Sequence, residues 1–198
     1  MSGIYIHIPF CQSRCRYCDF FSTTQGYKQA AYIDAVIHEW NMRKEQWVTN
    51  AERRTIRTIY IGGGTPSLLT IDNLQRLLHT IFSSIDTNAL QEITLEANPG
   101  DFTVEKVQAW RRMGINRLSI GIQSFHNRLL QLIGRRHNDV QAKEAVKMAQ
   151  NAGITNISID LMYALPTQTM EEWQMDIQDA LQLNIPHIST YGLIYEEN

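Results

Sequence analysis

Hydrophobic and polar positions follow two different periods along this chain. Short runs rich in β-branched residues alternate with longer segments in which apolar residues recur every three to four positions. The short runs predict strands, and the longer segments predict amphipathic helices. The predicted strands are residues 4–8, 56–61, 92–96, 117–122, 154–161 and 187–193. The predicted helices lie near residues 27–47, 71–84, 104–113, 140–152 and 170–183.

Strand and helix alternate strictly, which predicts an α/β fold with a parallel sheet and right-handed crossovers. Four helices are preceded by side chains suited to an N-cap, namely Thr70, Thr103, Asn138 and Thr169. Six strands are too few for a closed eight-stranded barrel. The alternatives are an open doubly wound sheet and a partial barrel. No linker or low-complexity segment divides the chain, so one domain is expected over residues 1–198.

Composition narrows the class of protein. The chain has 198 residues, of which 43% are hydrophobic and 19% charged, with a net charge of -2. These values are typical of a soluble globular domain and give no reason to expect a nucleic-acid or membrane partner. The longest apolar runs are strand-sized, well short of the ~20 residues of a transmembrane helix. No basic segment precedes the first strand, and a cytoplasmic location, where thiols stay reduced, is expected.

The three cysteines are the most specific chemical signal. Cys11, Cys15 and Cys18 are the only cysteines and form a CxxxCxxC motif directly after the first predicted strand. An odd number within eight residues does not make a disulfide framework. Three thiolates could hold a [4Fe-4S] cluster and leave one iron for a ligand that is not protein. Structural zinc is the alternative, but it needs a fourth ligand. The nearest candidate, His7, lies on the preceding strand and fits that role poorly.

Unusual polar residues and glycines follow every predicted strand. In parallel α/β folds the active site forms at these carboxyl ends, so the coincidence indicates one shared site. Glu96, Gln123 and Asp160 are the candidate polar ligands, and residues 62–67 form a GGGTPS turn. The alternatives are ordinary ones: a tight turn for the glycines, and hydrogen bonds to loop backbone for Gln123 and Asp160. Arg135 could pair with a carboxylate ligand, or form a solvated surface pair with its neighbour Arg136.

Taken together, seven motifs in order resemble one known family. The motifs are YIHIPFCxxxCxYCDF, IGGGTPS, LEANP, SIGIQSF, GRRH, IDLMYALP and ISTYGL. They resemble the radical S-adenosylmethionine (SAM) superfamily, and within it the coproporphyrinogen-dehydrogenase-like branch with its heme chaperones. The resemblance implies a partial (β/α)6 barrel. It also implies that SAM chelates the open iron of a [4Fe-4S] cluster, whose reduction releases methionine and a 5'-deoxyadenosyl radical.

The same resemblance implies particular site residues. Cys11, Cys15 and Cys18 would ligate three irons. Around the cluster-bound SAM it places Tyr5, Gly63 and Glu96, with Tyr17 beside the adenine. A second SAM or a neighbouring substrate would be lined by Gly64, Thr65, Gln123, Arg135, Asp160 and Ile194.

Two departures from the family pattern bear on function. Coproporphyrinogen dehydrogenases resemble CxxxCxxCxC, and Phe20 stands here at the position of the extra cysteine. This favours a heme chaperone, with heme as cargo and a hemoprotein as acceptor, over an oxidase. The oxidase, which would convert coproporphyrinogen III to protoporphyrinogen IX, is one alternative, and a non-catalytic zinc-binding α/β protein is another. The chain stops at Asn198, so the carboxyl-terminal domain of the family is expected to be absent.

Overall fold

The computed structural model describes residues 2–48 and 55–195 of the chain. The strands are β1 (Ser2–Ile8), β2 (Ile56–Gly63), β3 (Glu92–Ala97), β4 (Arg117–Gln123), β5 (Asn156–Tyr163) and β6 (His187–Gly192). The α-helices are α1 (Gln29–Val48), α2 (Ile71–Phe82), α3 (Val104–Arg112), α4 (Asn127–Leu132), α5 (Asp139–Asn151) and α6 (Met170–Gln182). All the predicted strands and helices are present.

The six strands form one parallel sheet in the order in which they occur along the chain. A doubly wound sheet would reverse its strand order at a switch point, and this sheet has no reversal. Within the described residues β1 and β6 remain at opposite edges of the sheet. The fold is therefore a partial (β/α)6 barrel, as the family resemblance implied.

The hydrophobic core lies between the sheet and the helices. Alternate strand residues such as Ile59, Ile61 and Leu95 are buried and pack with the apolar face of α2, including Leu74 and Leu77. Such period-two alternation is typical of strands that pack one face on helices. The strand residues between these positions therefore lie on the opposite face of the sheet.

The opposite, inner face of the sheet is polar. Its buried residues include Thr94, Ser119 and Ser158, on three neighbouring strands. Closer to the carboxyl ends of the strands, Glu96 and Asp160 continue the same alternation. The face that the helices do not cover therefore leads directly to the candidate site.

Local capping explains why the helix boundaries were predicted to within about two residues. Thr70, Thr103, Asn138 and Thr169 each accept a hydrogen bond from the backbone N–H three residues later. Asn138 and Thr169 also complete capping boxes. These short-range contacts depend only on neighbouring residues, which is why sequence alone finds them.

Strand β5 begins two residues later than predicted. Ile154 N–H donates to the carbonyl of Ala149 at 3.0 Å, and Gly153 adopts a left-handed conformation with φ of 82°. Both features belong to the end of helix α5, where such hydrogen bonds satisfy the last carbonyls. Ile154 is therefore part of the helix stop, although its side chain is buried like that of a strand residue.

Helix α4 was not predicted from the sequence. It has only six residues, too few to display a helical period. Its Leu129, together with Ile133, Met162 and Leu165, forms a second small hydrophobic cluster apart from the main core. This cluster lies beneath the loop that carries the cysteines.

Candidate functional site

The cysteines lie on a loop of residues 9–23, called here the cysteine loop. Its two ends are joined, because Thr23 N–H donates to the carbonyl of Pro9 at 2.7 Å and Cys11 N–H donates to the carbonyl of Thr23 at 2.9 Å. Phe10 and Thr23 form a short parallel bridge at the same place. The loop is therefore held closed directly above the end of β1.

Helix α4 supports the cysteine loop from the other side. Arg16 N–H donates to the carbonyl of Ile133 at 3.1 Å, and the Arg16 guanidinium donates to the carbonyl of Leu132 at 3.2 Å. These carbonyls belong to the carboxyl-terminal end of α4, where a positive charge is favoured. Helix α4, which was not predicted from the sequence, thus directly supports the loop that carries the cysteines.

The three thiols fit the donor set of an iron–sulfur cluster with one open iron. Cys11, Cys15 and Cys18 are free, half-buried and line the same cavity. Burial raises the pKa of Cys18, and the charges of the other two cysteines add to the rise. Within the described part of the chain, no three His, Cys, Asp or Glu side chains are placed to hold a single metal ion.

The glycine turn after β2 packs against the cysteine loop. A Cβ on Gly64 would lie 2.9 Å from the Phe10 carbonyl oxygen and 3.0 Å from Cys11 Sγ. Gly63 has a φ of 119°, and a Cβ there would lie 2.7 Å from the ring of His7. Both contacts are too short for any side chain, so the turn requires glycine at these positions.

Glu96, at the end of β3, is held by two donors. Tyr60 Oη donates to Glu96 Oε1 at 2.7 Å, and Gly63 N–H donates to Glu96 Oε2 at 2.9 Å. Burial raises the pKa of Tyr60, and the Glu96 charge adds to the rise, so the phenol keeps its proton. Tyr60 was not among the residues that the sequence predicted for the site. Its position between Ile59 and Ile61 places it on the inner face and could have identified it.

Tyr5 is connected to the candidate site by the stacking of its ring on Tyr60. The two rings stack with centroids 6.1 Å apart and planes at 27°. Tyr5 Oη lies 3.0 Å from His7 Nδ1, and His7 Nε2 lies 3.1 Å from the carbonyl oxygen of Phe21 in the cysteine loop. His7 therefore braces the loop, in agreement with the structural role favoured over ligation.

Gln123 lies at the end of β4 in a strained backbone conformation. Its φ is 75°, its side chain is buried, and the pairing of β4 with β5 shifts register at the same point. Tyr191 Oη donates to Gln123 Oε1 at 2.6 Å. Burial raises the pKa of Tyr191 to about 12, and the charge of Asp160 contributes. A non-glycine residue held at positive φ is a recurrent feature of functional sites.

Asp176, on helix α6, anchors the chain immediately after Gln123. Its carboxylate accepts hydrogen bonds from Phe125 N–H at 2.6 Å and from Ser124 Oγ at 2.9 Å. Asp176 is fully buried, and burial raises its pKa. The strained segment is thus fixed from the far side of the sheet by a residue the sequence did not single out.

Two side chains of the cavity contact cysteine sulfurs. Arg135 Nη1 donates to Cys15 Sγ at 3.6 Å, and its Nη2 donates to the carbonyl of Gly121. Its Nε is buried without a hydrogen-bond partner among the described residues. Thr65 Oγ1 donates to Cys11 Sγ at 3.5 Å. A half-buried cation that lines the cavity suits an anionic ligand group.

Arg136 is not a solvated partner of Arg135. Its guanidinium donates to Asp101 Oδ1 at 2.9 Å and also to Gln12 in the cysteine loop. The Asp101 side chain is only 4% exposed, and its other oxygen accepts a hydrogen bond from Ser67 Oγ at 2.7 Å. The surface-pair interpretation of Arg136 was therefore wrong, because residues distant in sequence supply its partners.

Most of the predicted site residues lie around one cavity at the carboxyl ends of the strands. Its lining includes Cys11, Cys15, Tyr17, Cys18, Phe20, Gly63, Gly64, Thr65, Glu96, Gln123, Arg135, Asp160 and Tyr191. Two predicted residues lie outside this lining. Tyr5 is 60% exposed beside Tyr60, and Ile194 is 84% exposed beyond the end of β6. For both, a ligand-binding role stays a prediction.

Asp160 is the cavity carboxyl with the most perturbed titration. Burial raises its pKa from 3.8 to about 6, and the charge of Glu96 adds to the rise. Arg135, Arg117 and a hydrogen bond from Ser189 act in the opposite direction. At neutral pH the ionised Asp160 therefore weakens the ligand-free fold.

We expect Asp160→Asn to increase the free energy of unfolding at about pH 7.5 by about 1–3 kcal/mol. A carboxyl whose pKa is higher in the folded than in the unfolded chain stabilises the fold when protonated. That contribution is lost as the pH rises through about 6. The variant has no such loss, so the two proteins should converge in stability as the pH falls toward about 4. Urea unfolding followed by circular dichroism across this range measures the difference.

Asp72→Asn provides the control for this experiment. Asp72 is exposed in the first turn of α2, so its substitution should produce no comparable pH-dependent difference. If Asp160→Asn and the unsubstituted protein were equally stable at pH 7.5, the destabilisation assigned to the buried carboxylate would be wrong.

Comparison with known proteins agrees with the geometry of the site. The model of the Radical SAM superfamily matches residues 5–180. The chain belongs to the radical SAM superfamily. Membership of this superfamily implies a [4Fe-4S] cluster and SAM as cofactors, in keeping with three thiols that face one cavity.

Curated relatives carry one name. The chain is 44% identical over 198 residues to the heme chaperone HemW of Lactococcus lactis, covering 100% of this chain and 50% of the relative. It is 42% identical over 197 residues to the heme chaperone HemW of Escherichia coli, covering 99% of this chain and 51% of the relative. The chain thus spans about half the length of the curated relatives it matches.

Solved structures agree on the fold. Coproporphyrinogen III oxidase (HemN) from Escherichia coli, a radical SAM enzyme, matches with a TM-score of 0.90 and 29% identity, over 98% of this chain and 44% of that chain. The radical SAM methyltransferase TsrM from Kitasatospora setae, solved with cobalamin and a [4Fe-4S] cluster bound, matches with a TM-score of 0.68 and 15% identity, over 96% of this chain and 34% of that chain. The second likeness concerns the fold alone. No helix in the described part of the chain is long and apolar enough to span a bilayer.

Proposed function

We propose that this chain is the cofactor-binding core of a heme chaperone, which binds a [4Fe-4S] cluster and SAM and delivers heme to hemoproteins. The observation that carries the choice is Phe20, which stands where the coproporphyrinogen dehydrogenases have a further cysteine. Its ring is 71% exposed and lines the cavity beside the cysteines. Phe21 is 78% exposed next to it. A flat apolar macrocycle is a suitable ligand for such exposed aromatic rings.

The names of the curated relatives support the same proposal. The relatives described above from Lactococcus lactis and Escherichia coli are both heme chaperones. The chain matches about half the length of these relatives. The proposed heme function therefore also depends on the half of those relatives that the chain does not match. A reducing compartment such as the cytoplasm is the setting that this function needs, since the three thiols must stay free to bind iron.

In this proposal the cofactors are held by the cavity residues. Cys11, Cys15 and Cys18 would ligate three irons, and the amino and carboxylate groups of SAM would occupy the fourth. When bound and reduced, the cluster supplies an electron to the sulfonium of SAM. The remaining chemistry consists of binding and orientation by the protein.

Glu96 and Arg135 supply complementary charges for SAM. Glu96 is an acceptor for the ammonium or for ribose hydroxyls, and Tyr60 and Gly63 fix its orientation before the ligand arrives. Arg135 also lines the cavity, and its guanidinium is a suitable partner for a carboxylate. Two opposite charges on either side of a cavity orient a zwitterionic ligand in one direction only.

A second function has a specific observation in its favour. The Escherichia coli coproporphyrinogen III oxidase shares 29% identity and a TM-score of 0.90 with this chain. Under this alternative hypothesis, the protein would convert coproporphyrinogen III to protoporphyrinogen IX. Phe20 argues against it, because the further cysteine is tied to the oxidase branch.

One experiment separates the two functions. The protein, expressed from its complete reading frame and reconstituted anaerobically with iron and sulfide, is reduced with dithionite in the presence of SAM. Coproporphyrinogen III is added to one sample and heme to another. We expect stable heme binding, measured by its visible absorption, and no protoporphyrinogen in the other sample.

The outcomes are distinct. Formation of protoporphyrinogen would establish the oxidase and remove the chaperone proposal. Loss of heme binding in Phe20→Ala, with iron content unchanged, would tie the heme to the cysteine loop. A heme affinity equal to that of the unsubstituted protein would contradict the role given to Phe20.

A further inference from the structure

Two of the three cysteine sulfurs in the cavity accept a hydrogen bond from a side chain, and the two donors are of different kinds. Cys11 Sγ accepts from the Thr65 hydroxyl at 3.5 Å, and Cys15 Sγ accepts from the Arg135 guanidinium at 3.6 Å. Both donors are therefore side chains that a substitution can remove.

The Thr65 hydroxyl has no part in capping the turn that follows it. Thr65 is the N-cap of the 3-10 turn Pro66–Leu68, yet its side chain makes no capping hydrogen bond. The turn is held instead by backbone, with Leu68 N–H donating to the carbonyl of Thr65 at 3.0 Å. A threonine at an N-cap whose hydroxyl points to a sulfur is placed for that sulfur rather than for the turn.

Arg135 brings a full charge to the second sulfur. Its guanidinium is fixed by the carbonyl of Gly121 on one side and Cys15 Sγ on the other. An arginine guanidinium is not deprotonated in proteins. Arg135 therefore stays cationic beside the thiolates.

From these contacts we infer that Thr65 and Arg135 set the reduction potential of the cluster. The inference rests on the proposed [4Fe-4S] function. Reduction adds one electron and makes the cluster and its sulfurs more negative, and hydrogen bonds or positive charge at the sulfurs stabilise that state. Both residues thus raise the potential and make reduction easier. This role is independent of contact with SAM.

The test uses Thr65→Val, which keeps the shape of the side chain and removes the hydroxyl, with Thr65→Ser as the conservative variant that retains it. Each protein is reconstituted, and iron and acid-labile sulfide are quantified. The midpoint potential is then measured without SAM by a dithionite titration followed by electron paramagnetic resonance. We expect Thr65→Val to shift to a more negative potential and Thr65→Ser to stay at the original value.

Arg135→Met should shift in the same direction by a larger amount, because it removes a charge as well as a hydrogen bond. Thr80→Val is the matched control, since the Thr80 hydroxyl donates to the carbonyl of Arg76 on the surface of α2. Its potential should equal that of the unsubstituted protein.

The possible failures are distinguishable. If the unsubstituted protein takes up no iron and sulfide, the proposed function fails and the inference fails with it. If the variants load fully and their potentials equal that of the unsubstituted protein, the inference alone is wrong. A shift in Thr65→Ser as large as that in Thr65→Val would also overturn it, because the hydroxyl would then not be the cause.

Discussion

Cys15→Ala should abolish assembly of a stable [4Fe-4S] cluster. The chain has three cysteines and no others, so the substitution leaves two thiolates for four irons. Cys15 is half-buried in a loop held by backbone hydrogen bonds at Pro9, Cys11 and Thr23, so we expect the fold to survive. Anaerobic reconstitution followed by iron and sulfide analysis and visible absorption measures the loss.

Asp19→Asn is the control for loop integrity. Asp19 is exposed, lies beside Cys18 and does not line the cavity, so its variant should load iron as the unsubstituted protein does. Circular dichroism of both variants checks the fold. A Cys15→Ala protein that keeps a cluster able to cleave SAM would contradict the assignment of the three ligands.

Asp176→Ala should destabilise the protein by about 3 kcal/mol, because two buried donors lose their acceptor. These donors are Phe125 N–H and Ser124 Oγ, at 2.6 and 2.9 Å from the carboxylate. Both belong to the segment that follows Gln123, so the substitution should also loosen Gln123 in the cavity. Urea unfolding gives the change in stability, and the Kd of SAM for the reconstituted protein reports on the cavity.

Asp179→Ala on the same helix is the matched control. Asp179 pairs with Lys143 at 2.9 Å, with side chains 31% and 43% exposed, and such surface pairs contribute about 0–1 kcal/mol. Equal effects of the two substitutions would mean that the buried carboxylate has no special role in holding the β4 end.

The fold was predictable because its signals are local. Short runs rich in β-branched residues located all six strands, and four N-cap residues fixed the starts of α2, α3, α5 and α6. The choice between a doubly wound sheet and a partial barrel was not local, since it depends on strand order. The motif resemblance implied the barrel, and the sequential pairing of the strands confirmed it.

The site was predictable only in part. Cysteine spacing and polar strand ends identified the cavity and most of its lining. They did not identify the residues that hold the lining in place: Tyr60, Asp101, Arg136 and Asp176. The partners described above for these residues are 34 to 52 positions away in sequence, except for Gln12, which is further from Arg136 still. Contacts of that range depend on the whole fold, and no local pattern encodes them.

The polar inner face of the sheet has a thermodynamic consequence. Hydrophobic burial stabilises the sheet mainly from the helix side, since Thr94, Ser119 and Ser158 occupy the other side. A ligand that binds only the folded chain adds stability by mass action, about 2.7 kcal/mol at a hundredfold excess over its Kd. The stability of the folded chain is therefore expected to depend on whether its cofactors are bound. Chains that bind their cofactors should unfold less often than chains that do not, and it is unfolded chains that proteases degrade.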